Sequence, residues 1–493
     1  MDLESGKESI SYWKTITDQG AVTQQIVHWN YEGSGTEHDP YVVEWITDDP
    51  RNPTLWTTAR KWLQVMAVSN SIFIVTFCAS AFAGGNIPSF VHNFKERKLS
   101  YAGIPQLVLE FGASEEVVLL GLSLYVLGFA VGPLLWGPLS ELYGRQVVFL
   151  GSFIGFTIFN AATAASLNIW TIIILRFIAA TFGSSPLSNA GGVIADLFPA
   201  EKRGLPLSVF SAAPFVGPVL GPVIGGFLGM NQGWRWISGL MAIWSGATLV
   251  FVILTVPETY HPVLLKRRAE TLGKLNQGVY KSRAEIVSTK VSLGQALSTA
   301  LKRPWILLFH EPIVLFLSLY HALVYGILYM LFDAYPIVYG QYRGWNQGLS
   351  GLPFIAVAIG ILAAILYVVL YDNKQYQEKS KESGNGYVSP EARLPMCIVG
   401  AIALPIGLFW FAWTNSPSSP WLASVAAGVP FGFGMVLIFM AITNYLVDSY
   451  TIFAASVLAG NGIIRSTFGA AFPLFTTQVC YTLLIMMRSL ISH

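Results

Sequence analysis

Long apolar segments alternate with short polar segments over most of the chain. Each apolar segment has roughly 20 residues, the length that an α-helix needs to cross the hydrocarbon core of a bilayer. This pattern predicts an all-α polytopic membrane protein that crosses the bilayer about eleven times. The predicted spans are 62–83, 116–136, 147–166, 169–190, 206–228, 237–256, 313–331, 350–371, 394–413, 422–443 and 454–476.

Polar segments divide the chain into four parts. Residues 1–61 are polar and mixed in charge, which predicts a disordered cytosolic tail. Residues 62–256 hold six predicted spans and residues 313–493 hold five, so we expect two helical bundles. The polar and basic segment 257–312 is expected to connect them as a solvated cytosolic loop.

Two segments depart from this regular pattern. Residues 80–88 are nearly repeated at 100–105, so 85–103 is expected to be either an insertion in an external loop or an error of gene modelling. After the last predicted span, residues 479–487 are too few to cross a bilayer. We therefore expect the C-terminal bundle to have one helix fewer than the N-terminal bundle, as if its last helix were missing.

The composition supports the membrane assignment. Of the 493 residues, 53% are hydrophobic and 11% are charged, whereas soluble proteins carry about 25% charged residues. A net charge of +2 provides no concentrated basic face, so we expect no nucleic-acid partner. Cys78, Cys397 and Cys480 all lie in apolar segments, which favours reduced thiols over a disulfide framework.

Basic residues are distributed unevenly between the two sets of polar segments. Positively charged residues are enriched on the cytosolic side of membrane proteins. Placing the N-terminus in the cytosol puts most basic residues on that side, which predicts this orientation. The opposite side then holds only Lys95, Arg97, Lys98, Arg235 and Arg343.

A short polar motif separates the second and third predicted spans. Gly137 ends the apolar run, and a glycine there would let the backbone of this helix approach another helix closely. Gly144 supplies a tight turn. Glu141 and Arg145 are four residues apart, within reach for pairing on a helix. We expect this motif to act as a structural hinge.

An arginine lies within the fourth predicted span. A charge at the centre of a membrane helix costs a few kcal/mol, so Arg176 is a candidate functional residue. Ala179, Ala180 and Gly183 leave room for the guanidinium to point into the protein. The alternative is a structural arginine that is hydrogen-bonded to neighbouring carbonyl groups.

Glycines recur every fourth residue in the fifth predicted span. Gly217, Gly221 and Gly225 give one helix face that is bare backbone, and Pro218 and Pro222 lie in the same stretch. Such a face permits close helix contact, while the prolines bend the helix. The alternative is a generic packing helix.

Together these patterns resemble the major facilitator superfamily, and within it the fungal drug:proton antiporters with twelve spans. The polar motif is similar to the family pattern Gly-x-x-x-Asp/Glu-x-x-Gly-Arg-Lys/Arg but departs from it at Gln146, where a second base is usual. The fifth span resembles the antiporter pattern Gly-Pro-x-x-Gly-x-x-x-Gly-Gly, matched at Gly217, Pro218, Gly221, Gly225 and Gly226.

The resemblance implies a fold and a function. The fold would be two pseudo-symmetric helical bundles around a central cavity that opens to either side in turn. The function would be proton-coupled efflux of a small amphipathic molecule, such as a drug or a fungal secondary metabolite, across the plasma membrane. In the family the arginine at the position of Arg176 is associated with proton coupling.

Further candidates come from polar residues in the apolar segments. An imidazole titrates in the right range to carry a proton, so His321 is a second coupling candidate, and Asp333 is a third. Possible contacts to a substrate in the cavity are Asn189, Tyr320, Tyr325, Asn444 and Asn461.

Two other functions stay open. Polyamine export would require carboxylates that face the cavity, and only Asp333 is placed to provide one. A non-transporting membrane receptor, or an inactive remnant of an exporter, would fit the missing helix. The sequence has no nucleotide-binding Gly-x-x-x-x-Gly-Lys-Ser/Thr, zinc-binding or nucleophile motif, so we expect no cofactor, metal or enzyme activity. We also expect the protein to be a monomer.

Overall fold

The computed structural model describes most of the chain. The described residues are 10–82, 104–199, 202–287, 293–382 and 388–491. The predicted insertion at 85–103 lies outside them.

Helices make up nearly all of the described structure. In the first half they are α1 (Tyr12–Thr17), α2 (Gln24–Val27), α3 (Thr58–Ala81), α4 (Ile104–Phe111), α5 (Glu115–Tyr143), α6 (Arg145–Ala164), α7 (Ile169–Gly183), α8 (Ser185–Leu197), α9 (Gly204–Gln232) and α10 (Trp234–Thr255). In the second half they are α11 (His261–Asn276), α12 (Arg283–Val287), α13 (Leu293–His310), α14 (Pro312–Tyr335), α15 (Gln347–Gly351), α16 (Phe354–Tyr367), α17 (Asn373–Glu382), α18 (Leu394–Thr414), α19 (Trp421–Ala426), α20 (Gly428–Ser449) and α21 (Ala454–Ile491). Two short strands, β1 (Tyr41–Val43) and β2 (Tyr280–Ser282), pair in parallel.

Ten helical segments among the described residues are long and apolar enough to cross a membrane. They match the first ten predicted spans, with α7 and α8 forming one of them. The eleventh predicted span lies within α21, which contains the polar residues Asn461 and Arg465 and is not among the ten. Helix α21 nevertheless packs against α14 and α5. Residues 479–487, predicted as a stub, continue the same helix.

The spans pack into two groups. In the N-terminal bundle α3 packs against α9, α5 against α7, and α6 against α10. In the C-terminal bundle α14 packs against α21, and α20 packs against both α16 and α18. The two bundles meet where α5 contacts α21 and where α9 runs along α15 and α16.

The structure differs from the predicted disorder of the N-terminal tail. Residues 10–57, here called the docking segment, contain α1, α2 and β1 and pack against one end of the N-terminal bundle. We call this end the N-terminal face. Ile26 and Val43 of the segment are buried together with Leu272 of α11. A tail that buries apolar side chains in this way stabilises its own fold, which its average polarity does not reveal.

The connecting segment is also folded rather than a solvated loop. It contains α11, β2, α12 and α13, and β2 pairs with β1 of the docking segment. Arg268 of α11 donates two hydrogen bonds to Asp49, at 2.6 Å to Oδ2 and 3.0 Å to Oδ1. Both residues are buried. The paired charges therefore join the docking segment to the connecting segment.

A histidine makes a second link between these parts. The indole N–H of Trp45 donates to Nδ1 of His261 at 2.9 Å, so Nδ1 is the acceptor. Nε2 then carries the proton and donates to the carbonyl of Asp196 at 3.0 Å. Burial lowers the pKa of His261 below its ordinary value of 6.5. The site therefore favours the neutral ring.

Removing the Asp49 carboxylate should release the docking segment. The variant Asp49→Ala leaves Arg268 buried without its partner, which costs about 3 to 5 kcal/mol. Limited proteolysis of the purified protein should then cut within residues 10–57 several times faster than in the wild type. As a control, Glu270→Ala removes the half-exposed partner of Arg267 and should leave the cleavage rate unchanged. Equal rates for both variants would contradict the assigned role of the buried pair.

Acidic pH should release the same segment through His261. Its pKa is lowered in the folded state, so its contribution to stability is complete above the ordinary pKa and is lost as the pH falls through the lowered value. Protease cleavage within residues 10–57 should accelerate between about pH 7 and about pH 5. Glutamine can accept from Trp45 and donate to the Asp196 carbonyl without titrating. A pH profile of His261→Gln as steep as that of the wild type would rule out this residue as the cause.

Candidate functional site

Helix α5 continues through the polar motif that the sequence placed after residue 136. The helix ends at Tyr143, and Gly144 follows with φ +97°, a conformation that L side chains rarely adopt. A methyl group on Gly144 would also collide with the carboxylate of Glu258, so the turn requires glycine for two reasons. Gly137 lies inside the helix with open space beside it, so the close helix approach predicted there is not found.

The carboxylate of Glu258 holds the start of helix α6. It accepts hydrogen bonds from the backbone N–H groups of Arg145 at 2.9 Å and Gln146 at 3.0 Å. It also accepts from the N–H groups of Thr259 at 3.0 Å and Tyr260 at 2.9 Å. Glu258 is fully buried. The unpaired N–H groups at the start of a helix favour a negative charge, so Glu258 fixes the segment after α10 to α6.

Arg145 does not pair with Glu141, the partner predicted from their spacing. Its guanidinium donates to Ser140 Oγ at 2.7 Å and to Asn189 Oδ1 at 3.5 Å, and it forms an ion pair with Asp196 at 3.7 Å. Glu141 is exposed near the end of α5. The carboxylate of α8 therefore replaces the expected one. Asn189, predicted as a cavity contact, lies in this group.

Gln146 occupies the position where the resemblance leads us to expect a base. Its side-chain N–H groups donate to the carbonyls of Ile16 and Val256, both at 3.0 Å. Its oxygen accepts from Gln19 at 3.2 Å. The docking segment is therefore bonded to the start of α6. The residues of this α6 network are Ser140, Arg145, Gln146, Asn189, Asp196 and Glu258.

The glycines of α9 serve two different contacts. Added methyl groups at Gly217, Gly221 and Gly225 would collide with the main chain of α3. Gly226, on the same stretch of helix, faces the carbonyl of Gln347 in α15 instead. Pro218 and Pro222 are buried within α9. The motif therefore packs the N-terminal bundle and also contacts the C-terminal one.

Arg176 points into the N-terminal bundle and is buried there. Its Nε donates to the Gly121 carbonyl at 2.9 Å, and its Nη2 donates to the Cys78 and Ala79 carbonyls at 3.1 and 3.4 Å. The guanidinium also lies 4.7 Å from the ring centre of Tyr125. No carboxylate in the described part of the chain pairs with it. Arg176 thus joins α7 to α3 and α5 through neutral oxygens.

His321 lies in the middle of α14 and is buried. Its ring packs edge-to-face on Phe439 of α20, with ring centres 4.5 Å apart. The amide of nearby Asn461 donates to Ser318 Oγ at 3.1 Å. Within the described residues, neither ring nitrogen of His321 has a hydrogen-bond partner. The imidazole is therefore held mainly by packing, with the amide of Asn461 beside it but outside hydrogen-bonding geometry.

A second arginine inside a membrane helix, the partly buried Arg465, lies beside His321. The guanidinium of Arg465 in α21 lies 5.0 Å from the ring centres of both Tyr325 and Phe439. Tyr325 is hydrogen-bonded to Tyr329, with their hydroxyl oxygens 3.3 Å apart. The rule on charges in membrane helices that selected Arg176 applies equally to Arg465. We call His321, Tyr325, Tyr329, Phe439, Asn461 and Arg465 the interior cluster.

The interior cluster lies where the two bundles meet. The ring of Phe439 packs edge-to-face on Phe215 of α9, with centres 4.6 Å apart. Gly469 of α21 lies against both Tyr325 and Val126 of α5. Groups from α5, α9, α14, α20 and α21 therefore converge on one region.

Three predicted residues lie outside this cluster. Asp333 is buried in α14, about 18 Å along the helix from His321, and the helix continues as a π-helix over Pro336–Tyr342. Tyr320 lies on the side of α14 that faces Cys397 of α18. Asn444 is partly buried near the end of α20. The described residues contain no group of three His, Cys, Asp or Glu side chains that could hold a metal.

The sequence of this chain matches a family model that covers most of its length. Residues 72–473 match the model of the Major Facilitator Superfamily. The chain belongs to the Major Facilitator Superfamily. This confirms the resemblance drawn from the motifs.

Similarity to individual members of the superfamily supports the same assignment. The multidrug transporter mdrA of Aspergillus fumigatus is 53% identical over 97% of this chain and 75% of its own length. The efflux pump MFS2 of Trichophyton rubrum is 54% identical over 95% of this chain and 75% of its own length. The family and these relatives are transporters, and this chain is a multi-pass membrane protein of the same family.

Solved structures confirm the fold class. The xylose transporter XylE from E. coli, in a partially occluded inward-open conformation, superposes with a TM-score of 0.56 at 16% identity. The match covers 87% of this chain and 98% of that one. The prediction of a missing last helix stays a prediction.

Replacing Glu258 should weaken the α6 network. Glu258→Gln removes the negative charge that four N–H groups face, and a hydrogen bond to a charged group contributes about 1.5 to 3 kcal/mol. The thermal unfolding midpoint of the purified protein should fall by several degrees. The matched control Glu141→Gln changes an exposed carboxylate of the same motif and should leave the midpoint unchanged. A larger decrease of the midpoint in Glu141→Gln than in Glu258→Gln would mean that Glu141 holds this motif.

Proposed function

We propose that this chain exports small amphipathic molecules in exchange for protons, as a monomer in the plasma membrane with its N-terminal face in the cytosol. The observation that carries the proposal is the match to fungal efflux pumps over nearly the whole chain. A relative from Gibberella moniliformis, also named an efflux pump, is 44% identical over 93% of this chain. The excess of basic residues on the N-terminal face supports the orientation.

The interior cluster is the proposed substrate site. It combines aromatic rings with a few polar groups, the composition that suits a small amphipathic molecule. It also lies between the bundles, where a rocking motion would expose it to each side in turn. Tyr325 and Asn461 are the predicted cavity contacts that belong to it.

Proton coupling is proposed to involve residues of both bundles. An arginine stays protonated at neutral pH, so Arg176 would act through its charge and through its bonds to α3 and α5 rather than by releasing a proton. His321 is the residue that can take up a proton within the cluster. Asp333 is the third candidate, about 18 Å away along the same helix.

The chain's charge distribution disfavours polyamine export. Polycations require carboxylates at their binding site, and among the described residues the carboxylate on the same helix as His321, that of Asp333, lies about 18 Å away along α14. A non-transporting receptor would bind a ligand without moving it. A transport assay with the purified protein distinguishes a receptor from an exporter.

Gradient-driven transport in proteoliposomes tests the proposal. With an imposed pH gradient, the wild type should move a lipophilic fluorescent drug against its concentration gradient, and collapse of the proton gradient should abolish accumulation. Flux that does not depend on the pH gradient would contradict proton coupling. Absence of flux for every compound in a broad panel would support a receptor or an inactive remnant.

The Arg176→Ala variant should lose accumulation by about tenfold or more, since its three carbonyl contacts are hydrogen bonds from a charged group. Expression and insertion should stay near wild-type levels. Arg235→Ala, which breaks a partly exposed ion pair with Glu110, is the matched arginine control and should transport normally. Normal pumping by Arg176→Ala would remove Arg176 from the coupling mechanism.

A further inference from the structure

Two arginines lie inside the membrane helices, Arg176 in the N-terminal bundle and Arg465 in the C-terminal bundle. Arg176 and Arg465 both lie well inside their helices, and neither pairs with a carboxylate within the described residues. Among the carboxylates of the described spans, Asp196 and Asp448 lie near helix ends, and Asp333 lies about 18 Å along α14 from His321. A negatively charged molecule beside Arg465 would therefore lie next to a positive charge that no carboxylate of the described residues neutralises.

The two arginines differ in the partners of their guanidinium groups. Arg176 donates to three backbone carbonyls, so its hydrogen-bonding capacity is largely used. Arg465 faces the rings of Tyr325 and Phe439, and its buried Nε has no hydrogen-bond partner within the described chain. Cation–π contacts satisfy a guanidinium only in part, because they leave its N–H donors unused.

A second polar group beside Arg465 also lacks a partner. His321 is 1% exposed, and among the described residues nothing bonds to either ring nitrogen. Its ring shares Phe439 with the guanidinium of Arg465. Both groups therefore keep hydrogen-bonding capacity that a ligand can use, and they lie side by side.

The surroundings define the shape of that ligand. Arg465 lies about three turns into α21, and its guanidinium points between α14 and α20, yet its side chain keeps a partly accessible surface. The guanidinium therefore lies between helices of the C-terminal bundle. Tyr325, Tyr329 and Phe439 supply aromatic walls around it.

We infer that the interior cluster binds amphipathic organic anions, with the acidic group of the ligand on Arg465 and His321 and its apolar part against the aromatic rings. The inference rests on the proposed export function and names its substrate class. Arg465 supplies the charge and a planar set of donors that matches a carboxylate. His321 supplies a further hydrogen bond. Molecules of the same shape with a neutral or a cationic group should bind less well.

Three probes of one shape test the inference directly. Tritiated 2-naphthoate, 2-naphthamide and 2-naphthylmethylamine carry an anionic, a neutral and a cationic group on the same ring system. In equilibrium binding to the purified protein in nanodiscs, 2-naphthoate should bind about tenfold tighter than the other two, the difference expected for one charge-assisted hydrogen bond. Equal affinities, a preference for the amine, or no binding of 2-naphthoate would overturn the inference.

Variants assign the selectivity to one residue. Arg465→Gln should reduce the affinity for 2-naphthoate about tenfold to a hundredfold and leave the affinity for 2-naphthamide unchanged. Arg465→Lys keeps the charge and should retain part of the preference. Arg235→Gln removes an arginine at the opposite face and should bind all three probes like the wild type. Unchanged 2-naphthoate binding by a folded Arg465→Gln would exclude this arginine as the anion site.

The design separates this inference from the proposed function. If Arg465→Gln unfolds, as judged by its thermal unfolding, the comparison of the three probes on the wild type still decides the question. Selective 2-naphthoate binding without proton-driven flux would support the anion site and contradict export. Proton-driven flux of the amide and amine equal to that of the acid would support export and overturn the anion preference.

Discussion

A charge inside a membrane protein must find its partners within the protein, because the hydrocarbon offers none. Arg176 meets this constraint by donating to carbonyls of α3 and α5, which places three helices of the N-terminal bundle around one guanidinium. Arg465 meets it only in part, through aromatic faces. The guanidinium of Arg176 thus has hydrogen-bond partners within the N-terminal bundle. The guanidinium of Arg465 has an incomplete set of partners within the C-terminal bundle. An incomplete arrangement is where a transported molecule can contribute binding energy.

The contacts within a bundle differ in kind from those between bundles. Inside the N-terminal bundle, Gly217, Gly221 and Gly225 bring α9 against the main chain of α3, and Glu258 ties α6 to the segment after α10. Between bundles, Phe215 and Phe439 meet through their rings. Ring contacts involve no directional hydrogen bonds, so separating them breaks fewer specific interactions than deforming a bundle. This difference is consistent with two rigid bodies that rock against each other.

The spans and the fold family could be predicted from the sequence, while specific partners could not. Apolar length alone located ten spans, because a bilayer imposes that length on any helix that crosses it. Spacing suggested Glu141 as the partner of Arg145, but spacing carries no information about α8, which supplies Asp196 and Asn189. The folded docking segment escaped detection because its buried residues contact α11, more than 200 positions away. Arg465 was within reach of sequence reasoning, since the rule that selected Arg176 applies to it.

The departure of Gln146 from the family pattern has a physical explanation in the docking segment. An amide can donate and accept at once, and Gln146 does both: it donates to the carbonyls of Ile16 and Val256 and accepts from Gln19. A lysine or arginine at this position could donate to the two carbonyls but could not accept the third bond. A neutral side chain is therefore the one that fits a docked N-terminal segment.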